Sequence, residues 1–225
     1  MELTELDFAI IPPSYVNLVV GKRQPGKSTL IITHMQQILN TRSIHKTYVF
    51  SRKSQYSNEY SDILNPTKSD IYTSVDKNTL RFIMDDQYEL VKKNKDIESI
   101  IVFDDINCCH VKELLLDLFI NSFHRHFTVF MAIQSLCMIT VDLFVNTDLF
   151  FHGKEIIRSF IKRIWIKMGE PTNFDDFVLL FDKMKHGDFI VKCNKHHPNS
   201  KYYQKIYYHN AATFFVNTPR TILVD

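Results

Sequence analysis

The stretch Gly21-Lys22-Arg23-Gln24-Pro25-Gly26-Lys27-Ser28 constrains this chain more than any other. Its two glycines and its Lys-Ser pair stand at the spacing G-x-x-x-x-G-K-[ST], that of a loop that binds phosphate groups through backbone N–H donors. Cβ atoms at the glycines would crowd such a loop, which explains the residue type there. The flanks agree. Tyr15 to Val20 is a β-rich run ending at Gly21, and Leu30, Ile31, Met35, Ile38 and Leu39 recur at helical spacing afterwards. Strand, loop and helix predict a nucleotide site built from residues 21 to 29, Thr29 included, with Lys27 on the β/γ-phosphates and Ser28 on Mg²⁺. Gln24 and Pro25 depart from the usual Gly and Ser/Thr content, and Pro25 removes one N–H donor.

A chain of 225 residues fits a single α/β domain, here a core over about 15–153 and a C-terminal extension over about 154–225. Charge is unevenly placed. Residues 1–150 carry 15 Lys+Arg against 18 Asp+Glu, while residues 151–225 carry 12 against 7 and form the basic part. Four cysteines without framework spacing argue for a reducing compartment. The acidic start Met1 to Leu6 does not read as a signal peptide, and no run of about 18 apolar residues predicts a membrane span.

Along the chain, strands are expected at 15–20, 47–50, 71–72, 99–103, 127–133 and 148–152, the last closing a five-stranded core. Helices are expected up to Asn40 after the loop, around 80–91, at 111–123, 155–168 and 174–184, with a late hairpin from 189–192 to 205–208. The polar stretch 51–69 reads as a surface excursion. Ser99 to Asp105 is an apolar strand that ends in two carboxylates, and ligands of doubly wound sheets gather at such strand ends. Asp104 is therefore expected to bind Mg²⁺ through water, and Asp105 to polarise the attacking water. Gln134, at the end of the next apolar strand, is the candidate γ-phosphate sensor. Arg125 precedes that strand at the far sheet edge, placed either to reach a neighbouring subunit's nucleotide or to sit as a helix-end cation. Ile156, Ile157, Phe160, Ile161, Ile164 and Trp165 are expected on one face of a helix whose Arg158, Lys162, Arg163 and Lys167 form a basic face suited to DNA phosphates or to solvent. Cys193, His196 and His197 supply half a zinc site, which Cys108, Cys109 and His110 would have to complete, and a solvated loop is the competing reading.

The motif order resembles the poxvirus-type DNA-packaging ATPases of large DNA viruses, a branch of the FtsK/HerA superfamily, over roughly residues 15–210. It rests on Gly21 to Ser28, Ile101 to Asp105, Arg125-His126 and Ala132 to Ser135, with Asn146 and Phe174 to Phe177 also similar. The resemblance implies an α/β P-loop NTPase of the ASCE/RecA-like kind: a mainly parallel sheet flanked by helices, with a C-terminal helix and β-hairpin extension. It also implies ATP with Mg²⁺, a pentameric or hexameric ring, double-stranded DNA and a capsid or portal vertex protein as partners. The place of action would be the host cytoplasm at the viral assembly site, and the virion.

Three other P-loop readings compete. In a GTPase an Asp would stand at His197, and Gly would stand at Asn107. A nucleoside or nucleotide kinase would cluster lid arginines after Gln134, where only Arg158, Arg163 and Arg220 occur. The third is an assembly factor that binds nucleotide without turnover.

Overall fold

The computed structural model describes residues 2–3, 11, 13–22, 26–194, 206–211 and 222–223. Its strands are β1 (Glu2–Leu3), β2 (Val16–Val20), β3 (Ile44–Ser51), β4 (Ser69–Tyr72), β5 (Glu98–Asp104), β6 (Phe127–Ile133), β7 (Leu149–Gly153), β8 (Asp188–Cys193), β9 (Ile206–Asn210) and β10 (Ile222–Leu223). The helices are α1 (Lys27–Thr41), α2 (Lys77–Lys93), α3 (Lys112–Asn121), α4 (Val141–Val145), α5 (Arg158–Met168) and α6 (Phe174–Lys183). Eight strands form one sheet in the order β4-β3-β5-β6-β2-β7-β8-β9, and β1 pairs with β10 apart from it.

From β4 to β7 every neighbouring pair is parallel, so the carboxyl ends of these strands share one edge of the sheet. The apolar runs explain this. In β5, Ile100 and Val102 pack with Leu30, Ile31, Met35 and Ile38 of α1, while Ile101 and Phe103 point to the other layer. That second layer holds Leu80 and Ile83 of α2, Leu115 and Leu118 of α3, Ile164 of α5 and Phe181 of α6. A strand covered on both faces needs apolar residues at successive positions, and such runs favour parallel pairing. Gly169 ends α5 in the left-handed region at φ 85°, a conformation that suits glycine.

Three expectations change. β7 does not close the sheet, because β8 joins it antiparallel and β9 joins β8, so the late hairpin continues the same sheet. Stretch 51–69 is not all surface: Tyr60 and Leu64 are buried in the α1-side core. Ile156 and Ile157 leave the core face, with Ile156 75% exposed, since both precede α5 in a turn held by the Glu155 carboxylate. The short α4 was not expected from the sequence. Its first turn is capped by Thr140, whose hydroxyl accepts from the Leu143 amide.

Candidate active site

β2 delivers Gly21 at the carboxyl edge, where its N–H donates to the Ile133 carbonyl of β6 at 3.2 Å. Gly26 begins α1 at φ +144°, which a residue with a Cβ rarely adopts. Gly21 carries no such demand, since an added Cβ would meet Gly153 Cα at an ordinary 3.8 Å. The steric argument for glycine therefore applies to Gly26 alone. Arg23, Gln24 and Pro25 lie outside the described residues. Among the described residues α1 has neither a capping side chain nor an acid in its first turn. Its amides and its positive helix end are available to an anion.

Lys27 is buried and donates from Nζ to the carbonyls of Gly21 at 2.8 Å and Lys22 at 2.7 Å. Burial, with Lys53 nearby, pulls its ammonium below the usual lysine range, against the pull of Asp104 and Asp105. Lys22 is itself tied to Glu155 at 2.8 Å. Burial raises the Glu155 carboxyl, but hydrogen bonds from Lys22 and from the amides of Ile157 and Ile156 outweigh it and hold the group below its ordinary value.

Asp104, fully buried, accepts from Ser28 Oγ at 2.8 Å and from the Tyr60 hydroxyl at 3.0 Å through its Oδ2. Its Oδ1 is buried with no hydrogen-bond partner among the described residues. A hydroxyl and a carboxylate with a spare buried oxygen are hard donors of the kind Mg²⁺ takes when phosphates and water complete its shell. Ser28 and Asp104 thus fit the metal assigned to them. Asp105 stands next in the chain at φ 51°, an uncommon region for a residue with a side chain. Gln134 fixes it, donating from Nε2 to Asp105 Oδ1 at 2.5 Å. The sheet order explains that meeting, because β6 lies between β2 and β5. A cavity of about 270 Å³ opens beside Gln134, lined also by Gly21, Lys22, Cys137, Glu155 and Arg163.

Neither a protein-family model nor a curated protein sequence matches the chain. Solved structures do. The DNA-packaging ATPase B204 of Sulfolobus Turreted Icosahedral Virus superposes with a TM-score of 0.65 at 13% identity, over 88% of this chain and 98% of that one. The genome packaging NTPase B204 of Sulfolobus turreted icosahedral virus 2, in complex with AMPPCP, gives 0.63 at 15% identity, over 89% and 99%. EssC (ATPases 2 and 3) of Geobacillus thermodenitrificans gives 0.57 at 15% identity, over 81% of this chain and 38% of that one. The fold is that of a P-loop NTPase.

Within this NTPase fold, Lys27, Ser28, Asp104, Asp105 and Gln134 converge at one edge, whereas Arg125 does not. It precedes β6, whose seven residues separate it from Gln134 by roughly 20 Å. Its guanidinium pairs with Asp117, NH2 to Oδ2 at 2.9 Å. Thr29 follows Ser28 in the first turn of α1 and is exposed. Asn146 caps α4 by donating to the Asp142 carbonyl, and Asp175 pairs with Arg158, so both serve local structure. Among the described residues the zinc set does not assemble. Cys193 lies opposite Leu149 at the start of β7, while Cys108, Cys109 and His110 follow the end of β5, at the other edge of the sheet. His196 and His197 lie outside the described residues.

Sequence reasoning missed Lys53 and Tyr60. Ser51 of β3 pairs with Asp104 of β5, so a lysine two residues later reaches the same strand end. Tyr60 and Leu64, an i, i+4 apolar pair inside a polar stretch, were the available signal for a buried turn.

Proposed function

We propose that the chain is an ATP-hydrolysing motor that moves double-stranded DNA into a preformed viral capsid. The observation that carries this reading is the likeness to viral packaging NTPases across nearly their whole length, with the acids and the glutamine gathered at the P-loop. Residues 21 to 29 hold the triphosphate, with Lys27 exchanging its two loop carbonyls for phosphate oxygens. Ser28 and Asp104 would hold Mg²⁺, which would supply charge neutralisation to the phosphates. Asp105 takes the proton from the attacking water, and Gln134 keeps its carboxylate in place. Arg125 serves a neighbour's site in a pentameric or hexameric ring, whose further partner is a capsid or portal vertex protein. The motor acts in the host cytoplasm at the site of assembly and travels with the virion.

The kinase reading loses support from its arginines. Arg158 is committed to Asp175 on α6, and Arg163 lines the cavity beside Cys137, so the two form no lid cluster. Translocation itself is testable by ATP-driven displacement of a third strand from a DNA triplex. Displacement that needs both ATP and an intact Lys27 is expected. Hydrolysis with no displacement would favour the assembly factor or another phosphotransfer role.

Lys162 and Arg163 of α5 are exposed, and the Lys167 ammonium lies 4.2 Å from the centroid of the Phe144 ring. Each phosphate contact releases counterions, so replacing all three cations by alanine should weaken DNA binding and reduce the log–log salt slope by up to about 3. A salt titration with an unchanged slope would return this face to solvation.

A further inference from the structure

Among the described residues, Lys53 is the one basic residue at the candidate metal position that the proposed mechanism leaves without a task. It lies in the 3₁₀ turn Arg52–Gln55 that follows β3, with its backbone N–H on Ser51 Oγ at 3.2 Å. Its Nζ donates to Ser28 Oγ at 2.7 Å and lies 3.7 Å from Asp104 Oδ2. The Ser28 hydroxyl thereby accepts a hydrogen bond from Lys53 and donates its own to Asp104. An ammonium thus stands against the two groups that fit a divalent cation.

We propose that Lys53 is a resident counter-ion that fills the divalent-cation position of the nucleotide-free site and is displaced when metal and nucleotide enter. The inference rests on the nucleotide reading given above and adds an ordering step to it. Three features support it. Asp104 is fully buried, and a buried carboxylate with no cation beside it destabilises a fold strongly. The two occupants exclude each other, because an ion ligated by Ser28 at the short distance Mg²⁺ requires would share oxygen and space with a second positive charge. Displacement is also open to Lys53. Its side chain is 43% exposed and carries a compact charge on a flexible stem, while Tyr60 stays behind as the partner of Asp104.

The consequence is competition. Binding of Mn²⁺ to the nucleotide-free full chain, followed by electron paramagnetic resonance, should be weak in the wild type and about tenfold or more tighter in Lys53→Met. The added change Asp104→Asn should remove that gain. Lys53→Arg should keep the weak wild-type binding, and this serves as a control for folding. The same Lys53→Met protein should melt below wild type in EDTA and recover most of the difference in Mg²⁺. The Mg²⁺ concentration that half-saturates binding of a fluorescent ATP analogue should fall by a similar factor. Equal Mn²⁺ affinity in wild type and Lys53→Met, with wild type still binding the analogue, overturns this inference alone. Wild type that binds no analogue at saturating Mg²⁺ removes the nucleotide reading and this inference together.

Discussion

Lys27→Ala should lower ATP turnover by at least 10² to 10³-fold, roughly the effect of removing one preorganised donor from a developing anion. The lysine is buried, and its ammonium is held by the carbonyls of Gly21 and Lys22 at the mouth of the loop, so no other described cation takes its place without moving. Asp105→Asn separates binding from chemistry. The amide has the same shape and its oxygen still accepts from Gln134, which keeps the loop conformation, but it takes no proton. ATP affinity should stay near wild type while turnover falls about 10² to 10⁴-fold, the usual worth of a positioned general base. Isothermal titration of a slowly hydrolysed analogue and single-turnover kinetics read the two quantities. Turnover of Asp105→Asn at the original rate would move the base to another residue.

Arg125→Ala is expected to bind ATP normally and to hydrolyse it 10³ to 10⁵-fold more slowly, the range over which a trans arginine acts on phosphoryl transfer. In this chain Arg125 precedes β6, roughly 20 Å of strand from Gln134, and its guanidinium is paired with Asp117 on α3 rather than turned to its own P-loop. A subunit lacking Lys27 but retaining Arg125 is dead alone, yet it has an arginine to lend to the intact P-loop of an Arg125→Ala neighbour. Mixing the two inactive proteins should restore part of the DNA-stimulated rate. Mixtures shown to co-assemble but without recovery would leave Arg125 as an ion-pair partner of Asp117 only.

Much of the fold could be read before any coordinates. The strand ending at Gly21, the strand ending at Asp104 and the strand ending at Gln134 are each long apolar runs, and burial on both faces writes itself into such runs. The order β5-β6-β2 then sets Gln134 beside Asp105. Other features depended on pairing that no local pattern records. Lys53 comes to Asp104 only because β3 pairs with β5 in the register Ser51 to Asp104. Tyr60 lies among Ser, Asn and Glu, and its burial follows from α1 and β5 offering it a site beside a carboxylate. Ile156 and Ile157 look like the start of an apolar helix face, but Glu155 caps their amides and delays α5 to Arg158. Cys193 and the run Cys108 to His110 reach opposite edges of the sheet, which spacing along the chain does not record.

The proposed motor couples ATP hydrolysis to double-stranded DNA. The rate of phosphate release by the purified full chain, measured with and without double-stranded DNA at low and moderate salt, tests it most directly. Hydrolysis should depend on Lys27, rise severalfold with duplex DNA and lose that stimulation as salt displaces the phosphate contacts. A Lys27-dependent rate indifferent to DNA at every salt concentration would contradict the motor.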